Sequence, residues 1–99
     1  MRTALLSAAC LMAVTPAAFA QEADAECDLQ AEIVMQVVEA RQSGSARDSA
    51  QAGIASDLSG DAQKYAAVVP AIAEWVYSLP EDQLGADVGE SWIAQCQSM

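Results

Sequence analysis

Hydrophobic positions recur at spacings of three and four along most of this chain. From Glu26 to Ser43, Cys27, Ala31, Val34 and Val38 form one stripe, which Leu29, Ile33 and Val37 widen. This is the pattern of a helix with one buried face. Asp24, Glu26 and Asp28 fall near its positive N-terminal end, and Gly44 stands where a C-terminal glycine belongs. The preceding stretch, Gln21 to Ala25, reads as a short, loose polar arm.

Ser45-Ala46-Arg47-Asp48 resembles a capping box with Asp in place of Glu, and predicts a second helix to about Asp57. Its inner face, Ala46, Ala50, Gly53, Ile54 and Leu58, is mostly small, so a neighbour can approach closely. Ser59-Gly60-Asp61 breaks the pattern, and Asp61 can cap a third segment running to Ser78. There Tyr65, Val68, Val69, Ile72, Val76 and Leu79 make a wide apolar stripe, which predicts the central, most buried helix. Pro70 interrupts it, because proline removes a hydrogen bond and kinks a helix. We read the segment as one kinked helix, the alternative being two pieces that meet near Val69. Asp87 can cap a last helix, in which Val88, Trp92 and Cys96 lie four apart. No segment alternates with the period of a half-buried strand. The fold class expected is all-α, a small bundle of three or four helices.

The start of the chain changes the picture. Arg2 is followed by an apolar run from Ala4 to Val14 and by Thr15, Pro16 and the small-residue tail Ala18-Phe19-Ala20. That order is a cleavable secretory signal peptide covering residues 1–20. A membrane anchor needs about 20 uninterrupted apolar residues, which this run does not reach. Lipidation at Cys10 is rejected, since Ser7 stands three places before it. The expectation is a protein exported to the periplasm or secreted, with residues 26–99 as a single domain marginal in size for a core without a staple.

Cysteine usage agrees with export. Cys10 leaves with the signal peptide, and an even pair, Cys27 and Cys96, remains to bond in an oxidising compartment. Closing a loop of roughly 70 residues stabilises a fold by about 4 kcal/mol on the chain-entropy model. The bond would join the first turn of the first helix to the last turn of the final one. The full chain carries a net charge of −10, and cleavage removes Arg2 but none of the 14 acidic residues. Such a charge repels nucleic acid and anionic lipid.

The chain has no histidine, which excludes Ser-His-Asp and Cys-His catalysis and leaves zinc without its usual ligand sets. No S-x-x-K spacing precedes Lys64, which reads as a solvated partner of Asp61. Asp57-Leu58-Ser59-Gly60-Asp61 begins like a calcium loop, but Ala62 and Val68 stand where Gly and Glu are needed, so a turn explains it better. Asp28, Glu32 and Glu39 line one face of the first helix. That face reads as solvated, with divalent-cation binding and carboxylate acid/base chemistry as the alternatives. No enzyme activity, cofactor or metal site is expected.

Trp75, Tyr77 and Trp92 stand out in a chain with few aromatics. Either they are buried in the bundle, or Ala66, Ala73 and Tyr77, with Trp75 and Trp92 nearby, present an apolar face to a partner or small ligand. The signal peptide, the two cysteines near the chain ends and the run Glu74-Trp75-Val76-Tyr77-Ser78-Leu79-Pro80 resemble small uncharacterised periplasmic proteins of Gram-negative bacteria. The architecture is also similar to acid-stress periplasmic chaperones of the HdeA type, which implies a small helical fold held by one disulfide. The expected function is a non-enzymatic binding or accessory protein with an envelope partner. The alternatives are an acid-responsive holdase and a binder of a small ligand or divalent cation. The sequence leaves oligomeric state open.

Overall fold

The structure is a computed structural model that describes residues 17–98, so residues 1–16, with Cys10 and most of the expected signal peptide, lie outside the described residues. Among the described residues there are four α-helices and no strand. They are α1 (Ala17–Gln42), α2 (Arg47–Asp57), α3 (Val69–Ser78) and α4 (Ala86–Gln97). Two 3-10 helices, Gly60–Val68 and Glu81–Gln83, precede α3 and α4.

Helix α1 begins ahead of Glu26, so Gln21 to Ala25, expected to be a loose arm, is helical. That stretch is rich in alanine and contains no glycine or proline, so nothing in it stops a helix. As a result no acidic residue occupies the first turn, and Cys27 lies well inside the helix rather than at its start. The expected stripe is buried from Cys27 and Ala31 through Ile33, Val34, Val37 and Val38, with Leu29 half-buried. Helix α1 contacts α2, α3, α4 and the first 3-10 helix. It is therefore the central helix, a place the sequence assigned to the third segment.

At its C-terminus the amide of Ser45 donates to the Ala40 carbonyl and that of Gly44 to the Arg41 carbonyl, both at 3.0 Å. This pair of bonds is a Schellman motif, which needs the left-handed backbone that Gly44 adopts at φ 88°. The chain leaves the turn extended, and Ala46, not Ser45, occupies the N-cap position of α2. Alanine has no side-chain oxygen to accept a backbone N–H, so the expected capping box does not form. On α2 only Ala50 is buried, with Leu58 just beyond its end, while Ile54 is half-buried and Ala46 and Gly53 are exposed.

The third segment is divided rather than kinked. The 3-10 helix ends at Val68, and α3 starts afresh at Val69 with Pro70 in its first turn, where a missing N–H costs nothing. The break rotates Val68 out of the stripe, leaving it 43% exposed, while Tyr65, Val69, Ile72, Ala73 and Val76 are buried. Asp61 and Asp87 do not cap. Ser59 and Gly85 hold the N-cap positions without side-chain bonds, and each aspartate lies in the first turn beyond. There a carboxylate still complements the helix dipole.

The core joins α1, α3 and Leu58 with Tyr65 and Val88. Helix α4 is held to α1 by the disulfide between Cys27 and Cys96, whose Cα atoms are 5.8 Å apart. It closes a loop with a sequence separation of 69, joining the first and last helices as expected. Farther along the same seam, a Cβ on buried Gly89 would lie 3.0 Å from Met35 Cγ and 3.7 Å from the Ala31 carbonyl oxygen. Glycine here lets the two helices approach closely.

Candidate functional site

The aromatic residues divide into two groups. Tyr77 is half-buried, and its hydroxyl donates to the Ser45 carbonyl at 2.7 Å. The Arg41 guanidinium carbon lies 5.8 Å from its ring centroid, and the same guanidinium donates to the carbonyls of Val76, at 2.7 Å, and Leu79. Those carbonyls close the C-terminal end of α3, where a cation complements the dipole. Tyr77 and Arg41 thus form a strut between α1, the turn after it and α3. Ala73 is 0% exposed and Ala66 half-buried. Ala73 therefore belongs to the core, in line with the reading of these residues as bundle packing, and the Arg41 strut holds Tyr77.

Trp75 and Trp92 behave differently. Their rings meet across α3 and α4 at a centroid distance of 5.5 Å, tilted by 47°. Both are half-buried. The Trp92 indole N–H donates to the side-chain oxygen of Gln30 on α1 at 3.0 Å, satisfying its one polar group. Trp75, with Leu79, Leu84 and Val88, walls a cleft of about 390 Å³ that Asp82 and Asp87 border. Of the residues picked from the sequence, these two indoles are the pair whose rings the fold brings into contact.

Lys64 meets a different partner from the one expected. Its ammonium pairs with Glu26 on α1, and the Tyr65 hydroxyl donates to the same carboxylate. The hydrogen bond from Lys64, then that from Tyr65, holds the Glu26 carboxyl below its ordinary 4.5, against a smaller opposing effect of desolvation. The bond to Glu26 correspondingly raises Lys64 above 10.5. This cluster ties the first 3-10 helix to α1. Glu26 and Lys64 are 38 residues apart, so no local spacing could have revealed the pair.

Asp28, Glu32 and Glu39 do lie along one face of α1. They edge a groove of about 620 Å³ between α1 and α4, whose other wall carries Glu90 and Ile93. Among the described residues no group of three or more carboxylate or thiol side chains converges to hold a metal ion. Asp57 and Asp61 flank a turn in which Gly60 takes φ 61°. The α4 wall of the groove and the role of Gly89 were missed from sequence. The closest signal was the pairing of Ala31 and Gly89, two small residues on the faces that carry the cysteines.

No helix among the described residues is long and apolar enough to cross a membrane. Compared with protein families, curated proteins and solved structures, the chain has no match.

Proposed function

We propose that the chain is an exported, non-enzymatic binding or accessory protein of the cell envelope, acting in the periplasm on a protein partner. The observation that carries this reading is the half-buried Trp75–Trp92 pair, with Trp75 lining a mixed apolar and polar cleft that Asp82 and Asp87 border. Tryptophan is among the side chains enriched at the energetic centres of protein interfaces. The cysteine pair and the order of residues 1–20 support export.

The test is crosslinking and pull-down of the tagged chain from periplasm at neutral pH. Capture of one stoichiometric partner that Trp75→Ala abolishes and Tyr77→Phe retains supports the reading. No partner, or a partner indifferent to Trp75→Ala, overturns it.

The Glu26 cluster favours a second reading, an acid-responsive holdase. Acid protonates Glu26, releases Lys64 and Tyr65, and loosens the 3-10 helix from α1. This reading expects delayed aggregation of an unfolded client in acid. A chain that protects no client anywhere from about pH 2 to neutral refutes it.

A further inference from the structure

The groove between α1 and α4 combines three features. Its floor is apolar, with Ala31, Met35, Gly89 and Ile93. Its edges are acidic, with Asp28, Glu32 and Glu39 from α1 and Glu90 from α4, all exposed. No base lies along it. The ion pairs among the described residues are Arg47 with Asp48 and Lys64 with Glu26, so none of the four groove carboxylates is paired. Arg41 is committed to the α3 carbonyls, so among the described residues no cation is at hand to neutralise this edge.

The apolar floor exists because Gly89 lacks a side chain. Met35 lies in the space a Cβ would fill, and it remains half-buried beside half-buried Ile93. Methionine is flexible and polarizable, so such a floor can repack around different apolar side chains. The α1 edge from Asp28 to Glu39 spans about three helical turns, roughly 16 Å.

We propose that this groove is the docking site for a basic amphipathic helix of a partner protein, with apolar side chains on Met35 and Ile93 and Lys or Arg against the four carboxylates. Charge complementarity selects this occupant. A second copy of the chain brings the same negative sign, as do nucleic acid and anionic lipid. A free polyamine would satisfy the edges but leave the floor uncovered. The proposal rests on the binding-protein reading above and names the partner's chemistry at a separate surface.

The test uses the full mature chain with its disulfide intact. The probe is a Leu/Lys peptide of about 18 residues, long enough for ~5 helical turns, with leucines at helical spacing. The control is a scrambled peptide of the same composition. The patterned peptide should bind more tightly than the scrambled one in calorimetry at low salt. Glu32→Gln with Glu90→Gln should weaken it about fivefold, the scale of two exposed ion pairs. Asp57→Asn with Glu74→Gln makes the same change in net charge away from the groove and should change affinity less than about twofold. Ile93→Ala should weaken binding without altering salt dependence.

Equal loss in the two charge-neutralised chains, equal binding of both peptides, no binding, or displacement of the peptide by spermine alone would each overturn the proposal. In the pull-down, a partner kept by the Glu32→Gln, Glu90→Gln chain overturns the groove and leaves the accessory reading standing.

Discussion

Two of the seams that α1 makes, with α3 and with α4, are closed by different physics. Against α3 the seam is built from side chains: Val34, Val37 and Val38 meet Val69, Ile72 and Val76, all buried. Arg41 seals its end by donating to the last carbonyls of α3. Against α4 the seam is built from backbone proximity and a covalent bond. Only Val88 and Gly89 of α4 are buried, small residues bring the helices together, and the disulfide fixes them. A seam held by a disulfide does not have to fill its flanks with apolar side chains. The α4 side can therefore carry a half-open tryptophan pair and an acid-edged groove, while the α3 side carries the core.

The largest test of this contrast is to open the covalent seam. Cys27→Ser with Cys96→Ser should cost about 4 kcal/mol, comparable to the whole stability of a small domain. Helicity followed through urea should then show a chain largely unfolded in buffer. A loss under ~1 kcal/mol would mean that α4 is held by packing after all.

Next is the packed seam. Ile72→Ala should cost about 3 kcal/mol, from lost burial and the cavity left behind. The thermal midpoint of the oxidised protein should fall by roughly 10 °C or more. A much smaller fall would show that the α1–α3 seam is loosely packed.

Arg41→Met keeps most of the stem but removes the charge-assisted bonds to the Val76 and Leu79 carbonyls. It should cost about 2 kcal/mol, again read as a thermal midpoint. A neutral result would assign the α3 end to packing alone.

Gly89→Ala sharpens the comparison from the other side. Alanine gains up to ~1 kcal/mol in helix propensity, and the new methyl displaces the flexible end of Met35 rather than backbone. Stability should change by less than ~1 kcal/mol, while the displaced Met35 fills the groove and weakens the patterned peptide. Strong destabilisation would show that the helices cannot tolerate even this displacement.

The smallest effect is that of pH on Glu26. Its carboxyl is held below 4.5 in the folded chain. Its stabilising contribution is therefore complete above that value and is lost as pH falls through it toward the lower folded value. Lys64, raised above 10.5, contributes below that value and loses its contribution only in strong alkali. Glu26→Gln should flatten the acid limb of the stability profile and leave the neutral region little changed. An unaltered acid limb would place the acid sensitivity elsewhere.

The α1 stripe and the cysteine pairing were legible in the sequence because each depends on local periodicity or on a count. Pro70 was legible too, but it was weighed as an interruption, when proline in a first turn marks a beginning. The caps at Ser45, Asp61 and Asp87 were misplaced because an N-cap depends on how the chain enters the helix. Left-handed backbone at Gly44 and Gly60 adjoins the first two caps, while at the third an extended Gly85 takes the N-cap position ahead of Asp87. Ala66, Ala73 and Tyr77 admit both a buried and an open reading from their own segment alone, because Arg41 and Ser45, which hold Tyr77, come from elsewhere in the chain.

By itself, then, the sequence determined the all-helical class, most of the buried stripe of α1, the disulfide and the strong negative charge. All of these follow from residue type and spacing along one element. Tertiary structure decided that α1 is the centre, that Lys64 pairs with Glu26, that Trp75 meets Trp92, and that Glu90 faces the α1 carboxylates across a groove. Each of these brings together residues distant in the chain. Their distances are set by how closely two elements approach, and for Glu90 and the α1 carboxylates that approach depends on the volumes of Ala31, Met35 and Gly89.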